Sequence, residues 1–219
     1  MAPPATTSWR RRQVLAALTT GSALAVAGCL GNTSADTRFT DSFESGLGDW
    51  DTGADVPEDP NNPGQPVQWS ITTDTAHAVG GGKSVKYVLD GRQDDGTIWI
   101  VRPVAISADT AYTAAVSAQA WSHSESFNTL AHLVMSLGPD APTAETSFPQ
   151  PNTNSTTDDT AIGGLREPLN RADGWEEYAF TWETPQLDTD TLYLAVGISA
   201  VWETQLTYFV DDVSLDLSP

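Results

Sequence analysis

Eight of the 219 residues are tryptophan, and these indoles are the side chains through which the sequence most directly offers chemistry. Between Tyr112 and Trp121 apolar and polar positions alternate, so a core-facing set of Val116, Ala118 and Ala120 leaves Ser117, Gln119 and Trp121 on the opposite face. An indole beside an amide and a hydroxyl can stack on the CH face of a sugar ring while the polar groups meet its hydroxyls. Trp99 stands in the same relation to Ile98 and Ile100, Trp69 and Trp202 are further options, and Trp50 could fold over a binding groove from a loop. Packing is the competing role for each, and it is the one expected for Trp175 and Trp182. Catalytic patterns are missing. His77, His123 and His132 fall in no metal-protease or nucleophile spacing. Gly80–Ser84 ends like a phosphate loop, but the first glycine of that motif would fall at His77 and no helical pattern follows. Asp94-Asp95 and Glu176-Glu177 would matter to glycoside hydrolysis only if held across a cleft, and in so acidic a chain neighbouring acids carry little information. No enzymatic activity is expected.

With 29 Asp plus Glu against 10 Lys plus Arg, the chain has a formal net charge of −19. That balance excludes a nucleic-acid binder, which needs basic surface to displace counterions from phosphate. One cysteine excludes a disulfide framework and a thiolate zinc site. The cysteine instead belongs to an address. Arg10-Arg11-Arg12 precedes the short apolar stretch Val14–Gly28, an export leader over residues 1–28 that is too short for a committed membrane span. Arg11-Arg12 followed by Val14-Leu15 resembles a twin-arginine export signal, and Val26-Ala27-Gly28-Cys29 resembles a lipobox. Cleavage there would leave Cys29 to carry a lipid, residues 29–38 as a polar tether, and an exported protein anchored on the outer face of the cell membrane. The chain beyond the leader keeps 29 acids against 7 bases, a net charge of −22, with Lys83 and Lys86 its only lysines. Such a surface resembles that of proteins from extreme halophiles, where dense carboxylates stay hydrated and molar salt screens their repulsion.

From residue 39 to 219 no sustained helical period occurs, and period-two segments recur between Gly, Pro and Asp punctuation. Strands are expected near 38–44, 67–73, 83–90, 96–106, 110–122, 128–137, 175–183, 191–201 and 205–217, with long loops at 48–66 and 138–173. Many strands without helices predict one all-β domain, an antiparallel β-sandwich of jelly-roll type.

Five segments carry a family resemblance. Phe43-Glu44 with Trp50, Gly82–Tyr87, Ile106–Thr113, Trp175–Phe180 and Tyr208–Leu215 occur in the order of the motifs of galactose-binding-like jelly rolls, notably carbohydrate-binding modules. Ser107-Ala108-Asp109 replaces the usual Pro-Gly turn. The resemblance implies a structural calcium where first and last strands meet, with Glu44 and Asp212 as side-chain ligands, Asp41 or Asp211 in reserve, and carbonyls near Gly81–Lys83 completing the shell. It also implies a non-catalytic, monomeric domain that binds a polysaccharide or other glycan through Trp121, Trp99 and Gln119, with Trp50 and Trp69 as further contacts. The alternative is a surface structural or protein-interaction module that displays its long loops and binds no sugar. Asn32 and Asn154 begin N-glycosylation sequons.

Overall fold

The computed structural model describes residues 37–91, 95–123, 131–153, 161–169, 173–200 and 204–219. The leader, Cys29, most of the tether, Asp94, Trp202 and both sequons lie outside them. Eleven strands follow in order: β1 (Thr37–Asp41), β2 (Asp51–Asp55), β3 (Trp69–Asp74), β4 (Ser84–Gly91), β5 (Gly96–Ala105), β6 (Thr113–Ser122), β7 (Ala131–Gly138), β8 (Gly163–Pro168), β9 (Gly174–Glu183), β10 (Thr191–Ala200) and β11 (Thr204–Ser218). A 3₁₀ turn lies at Glu145–Ser147, and among the described residues no helix is long and apolar enough to cross a membrane.

The strands form two antiparallel sheets packed as a sandwich, the fold class expected. The first runs β3-β4-β11-β6-β9 with β1 also paired to β11, and the second runs β2-β5-β10-β7-β8. Alternating residues from both sheets fill the space between them: Val116, Ala118, Ala120, Phe180 and Trp182 from the first, and Ile98, Ile100, Leu133, Met135, Leu194, Val196 and Ile198 from the second. β2 and β8 fall within stretches expected to be loops. Both are edge strands, Asp51-Thr-Gly-Ala-Asp55 and Gly163-Gly-Leu-Arg-Glu-Pro168, in which polar residues, glycine and proline replace the alternation a central strand shows.

β11 organises one end of the first sheet. Residues 204–210 pair with β4, and 213–217 pair with β1 on the same side, while β6 lies along the other side. The register shifts between Asp211 and Ser214, and Asp212 takes a left-handed φ of 46°. This bulge leaves a gap between the partners β1 and β4, into which the turn leading to β4 reaches.

Candidate functional site

The outer face of the first sheet carries an aromatic patch. Antiparallel register aligns Phe209 of β11, Trp121 of β6 and Trp175 of β9 in one row, so all three project to the side away from the core. Trp121 is half-buried there and meets the edge of Phe209 at a centroid distance of 5.6 Å. The His77 imidazole stacks on the Trp121 indole at 3.6 Å and 21°, and meets Phe209 edge-on at 4.7 Å. His123 lies near-parallel to the same indole at 6.2 Å. His77, Trp121, His123, Thr207 and Phe209 line an open depression of about 470 Å³. Gln119 is on this face two residues before Trp121, and its amide reaches the Glu177 carboxylate of β9 at 3.4 Å. Lys86 adds a cation 5.9 Å from the Phe209 ring while it pairs with Asp74 at 3.0 Å. Face, indole and amide are therefore where period-two alternation places them. Sequence patterning does not reach His77 and Phe209, because cross-strand neighbours depend on register and a turn histidine has no period; Trp175, expected to pack, is half-buried on the outer face.

The other tryptophans do not join this patch. Trp99 projects from the second sheet, so it cannot floor one groove with Trp121, and only 2% of its surface is exposed. Phe148, in the 139–153 segment laid across that sheet, meets the Trp99 ring at 5.5 Å, and Val134 and Ala195 complete the cluster. Trp50 is core, 4% exposed, and donates its indole N–H to Asp41 at 2.8 Å. Trp69 is half-buried beside Gln68, Ser70, Val88 and Asp90, on the far side of β4 from Phe209. Trp182 packs in the core as expected.

The four acids expected near a metal lie at the β1–β4–β11 junction. Glu44 Oε1 accepts the Gly82 and Lys83 N–H groups, each at 2.9 Å, and these bonds hold its carboxyl below the usual range. Asp211 accepts Val79 N–H at 2.9 Å and Asp212 N–H at 2.8 Å. Burial pushes its carboxyl up against those bonds, and the charges of Asp212 and Glu44 push the same way. Asp41 is occupied by the Phe43 N–H and the Trp50 indole. Gly81, at φ 72°, has no room for a β-carbon beside the Glu44 carboxylate, and Gly80 lies against Asp212. Two carboxylates thus face one turn with the hard oxygen chemistry a calcium ion takes. Among the described residues no three His, Cys, Asp or Glu side chains form a metal shell, so main-chain carbonyls would have to complete it.

A second concavity of about 480 Å³ opens on the other sheet, lined in part by Asp55, Asp95, Glu145, Gln150 and Arg166. Arg166 is buried and donates to Glu145 at 2.7 Å and to Ser199 at 2.8 Å, while Thr97 donates to the other Glu145 oxygen at 2.9 Å. Glu145 also hydrogen-bonds the Asp95 carboxyl, which is raised by that contact. Two carboxyl groups in direct contact are too close to work as the separated acid pair of a glycosidase. Glu145 and Arg166 escaped notice because both lie in the stretch expected to be loop.

No protein-family model and no characterised protein matches the sequence. The fold does match solved structures. A carbohydrate-binding module of the β-sandwich superfamily described for promiscuous specificity aligns with 82% of this chain and 61% of its own, at 16% identity and a TM-score of 0.50. An arabinose-bound α-L-arabinofuranosidase aligns with 82% of this chain and 24% of its own, at 11% identity and a TM-score of 0.50. This chain therefore spans about three fifths of the first structure and a quarter of the second, and what it shares with both is a β-sandwich fold.

Proposed function

We propose that the protein is an exported, lipid-anchored surface protein whose β-sandwich domain binds glycan without catalysis. The observation that carries the reading is the row Phe209–Trp121–Trp175 on the outer face of the first sheet, with His77 and His123 against Trp121 and Gln119 alongside. Aromatic rings in an open depression supply stacking surface, and Gln119, Glu177 and Thr207 supply donors and acceptors for hydroxyls. The carbohydrate-binding-module fold supports the class of ligand by analogy alone. The leader, Cys29 and the acidic surface supply the address: a domain held outside a cell by lipid, in strong salt. Glu44 and Asp212, with carbonyls of the 81–83 turn, would hold a calcium ion that stiffens the junction. Its test is a melting temperature that rises with added calcium and falls back with chelator in the wild type but not in Glu44→Gln.

One observation favours the interaction-module alternative: the 139–153 segment seals the outer face of the second sheet through Glu145 and Phe148. The two readings part in affinity electrophoresis of the protein in molar KCl against a panel of soluble polysaccharides. Retardation by a polymer, lost in Trp121→Ala and kept in Trp69→Phe, is the expected result. Unaltered migration of folded protein in every polymer would leave the interaction module as the function.

A further inference from the structure

His77 reaches Trp121 from the turn between β3 and β4, beyond the last ladder pair Asp74–Ser84. Outside a ladder a chain segment keeps one conformation only if other bonds offset the entropy of fixing it. Here those bonds come from two distant places in the sequence. Asp211, fully buried at the β11 bulge, accepts the Val79 N–H. Glu44, just past β1, accepts the Gly82 and Lys83 N–H groups, and Lys83 Nζ returns a bond to the Glu44 carbonyl at 2.7 Å. Ser84 Oγ then donates to the His77 carbonyl at 2.5 Å, so the lock reaches the His77 peptide itself. Within the turn, Asp74 accepts the Ala76 N–H at 2.8 Å.

From this geometry we infer that Glu44 and Asp211 are positioning residues for the aromatic patch: they fix the 75–83 turn so that the His77 imidazole lies flat on Trp121. The consequence is a choice of floor. With His77 in place one face of the Trp121 indole is covered at 3.6 Å, and an incoming ring meets the imidazole and the indole, with the buried Phe209 packed edge-on against both. With the turn released, a ligand would meet a bare indole on a strand, a weaker and less selective surface. Neither Asp211 nor Glu44 lines the depression; Glu44 acts on it through the turn, whereas Asp211 also stands opposite Gln119 across the β11–β6 ladder. The inference takes its ligand class from the glycan reading, whereas its geometry stands without a ligand.

Fluorine NMR of the full chain labelled with fluorotryptophan tests it, with the Trp121 resonance assigned by Trp121→Phe. His77→Ala defines the resonance of the uncovered indole. Glu44→Ala and Asp211→Asn, which sets an amide NH2 against one of the two N–H groups that Asp211 accepts on separate oxygens, are expected to move the Trp121 signal toward that position while Trp99 and Trp182 stay in place, and Glu44→Gln, whose one oxygen can still accept both the Gly82 and Lys83 N–H groups, is expected to move it less. Affinity for whichever polysaccharide the wild type binds should fall about threefold to tenfold in Glu44→Ala, the loss expected for one aromatic contact. A Trp121 signal unmoved in both Glu44→Ala and Asp211→Asn would overturn the inference. If Asp211→Asn does not fold, Glu44→Ala and Lys83→Met decide the same question. If no polysaccharide binds, the glycan reading fails and the resonance still decides the positioning role.

Discussion

A β-carbon at residue 197 would run into the Ile98 carbonyl and the Trp99 side chain, and one at residue 53 would run into the Trp99 indole. These two glycines, on the strands either side of Trp99, are what allow a large ring to lie flat on the second sheet beneath Phe148. Gly197→Ala should therefore cost about 2 kcal/mol, the usual range for overpacking, read as a lower urea midpoint at unchanged slope. Trp121 has no such bed, which is why the same sequence pattern leaves it at a surface. Arg166 is the other residue whose surroundings make a firm expectation. Its side chain is 6% exposed, so Glu145→Ala removes the carboxylate partner of a buried charge. With the Glu145 side chain itself 23% exposed, the loss should be about 2 kcal/mol rather than the full cost of a sealed pair. His132, facing Arg166 and Glu145, is held neutral by burial first and by Arg166 second, with its pKa pushed down to about 4. The unfolded chain then binds the extra proton between roughly pH 6.5 and 4, so stability should fall as pH falls through that window. The slope should flatten in His132→Gln, measured by denaturant unfolding at several pH values.

At the level of elements, the bulge in β11 and the turn before β4 form one structure. Gly81→Ala would force a strained φ and displace the Glu44 carboxylate. Its expected phenotype is a lower melting temperature together with the Trp121 resonance shift described for Glu44→Ala. A melting temperature equal to wild type would show that the junction does not hold the turn. The strands that carry this junction and the patch were legible in the sequence, because β4, β6, β9 and β11 alternate strongly when one face meets a core. So was Trp121 with Gln119, whose face follows from parity alone. The edge strands β2 and β8 were not, and neither was the 139–153 segment that buries Trp99. A short polar edge strand and a covering loop are decided by what they pack against, which leaves no period in their own residues. The pairing of Trp99 with Trp121 failed for the same reason: parity gives a face within a strand, not the sheet to which the strand belongs.

For the whole molecule, charge is the dominant feature. With 29 acids against 10 bases, ion pairs such as Arg38–Asp216, Lys86–Asp74 and Arg166–Glu145 leave most of the acidic charge uncompensated. Repulsion among the rest should destabilise the fold at low salt and be screened within a few ångströms at molar salt. The unfolding midpoint should rise steeply with KCl, and more than it does for a domain near neutrality. A flat salt dependence would remove the halophilic reading of the surface. The outer face of the first sheet is the binding face in this proposal, and Trp121 is its reporter. The most direct measurement is the fluorine spectrum of the labelled protein titrated with a polysaccharide that retards it in the gel. With the ligand on that face the Trp121 signal moves, accompanied at most by Trp175 in the same row, while Trp99, Trp50 and Trp182 stay fixed. A shift confined to Trp99 would instead place the ligand under the 139–153 segment on the opposite sheet and contradict it.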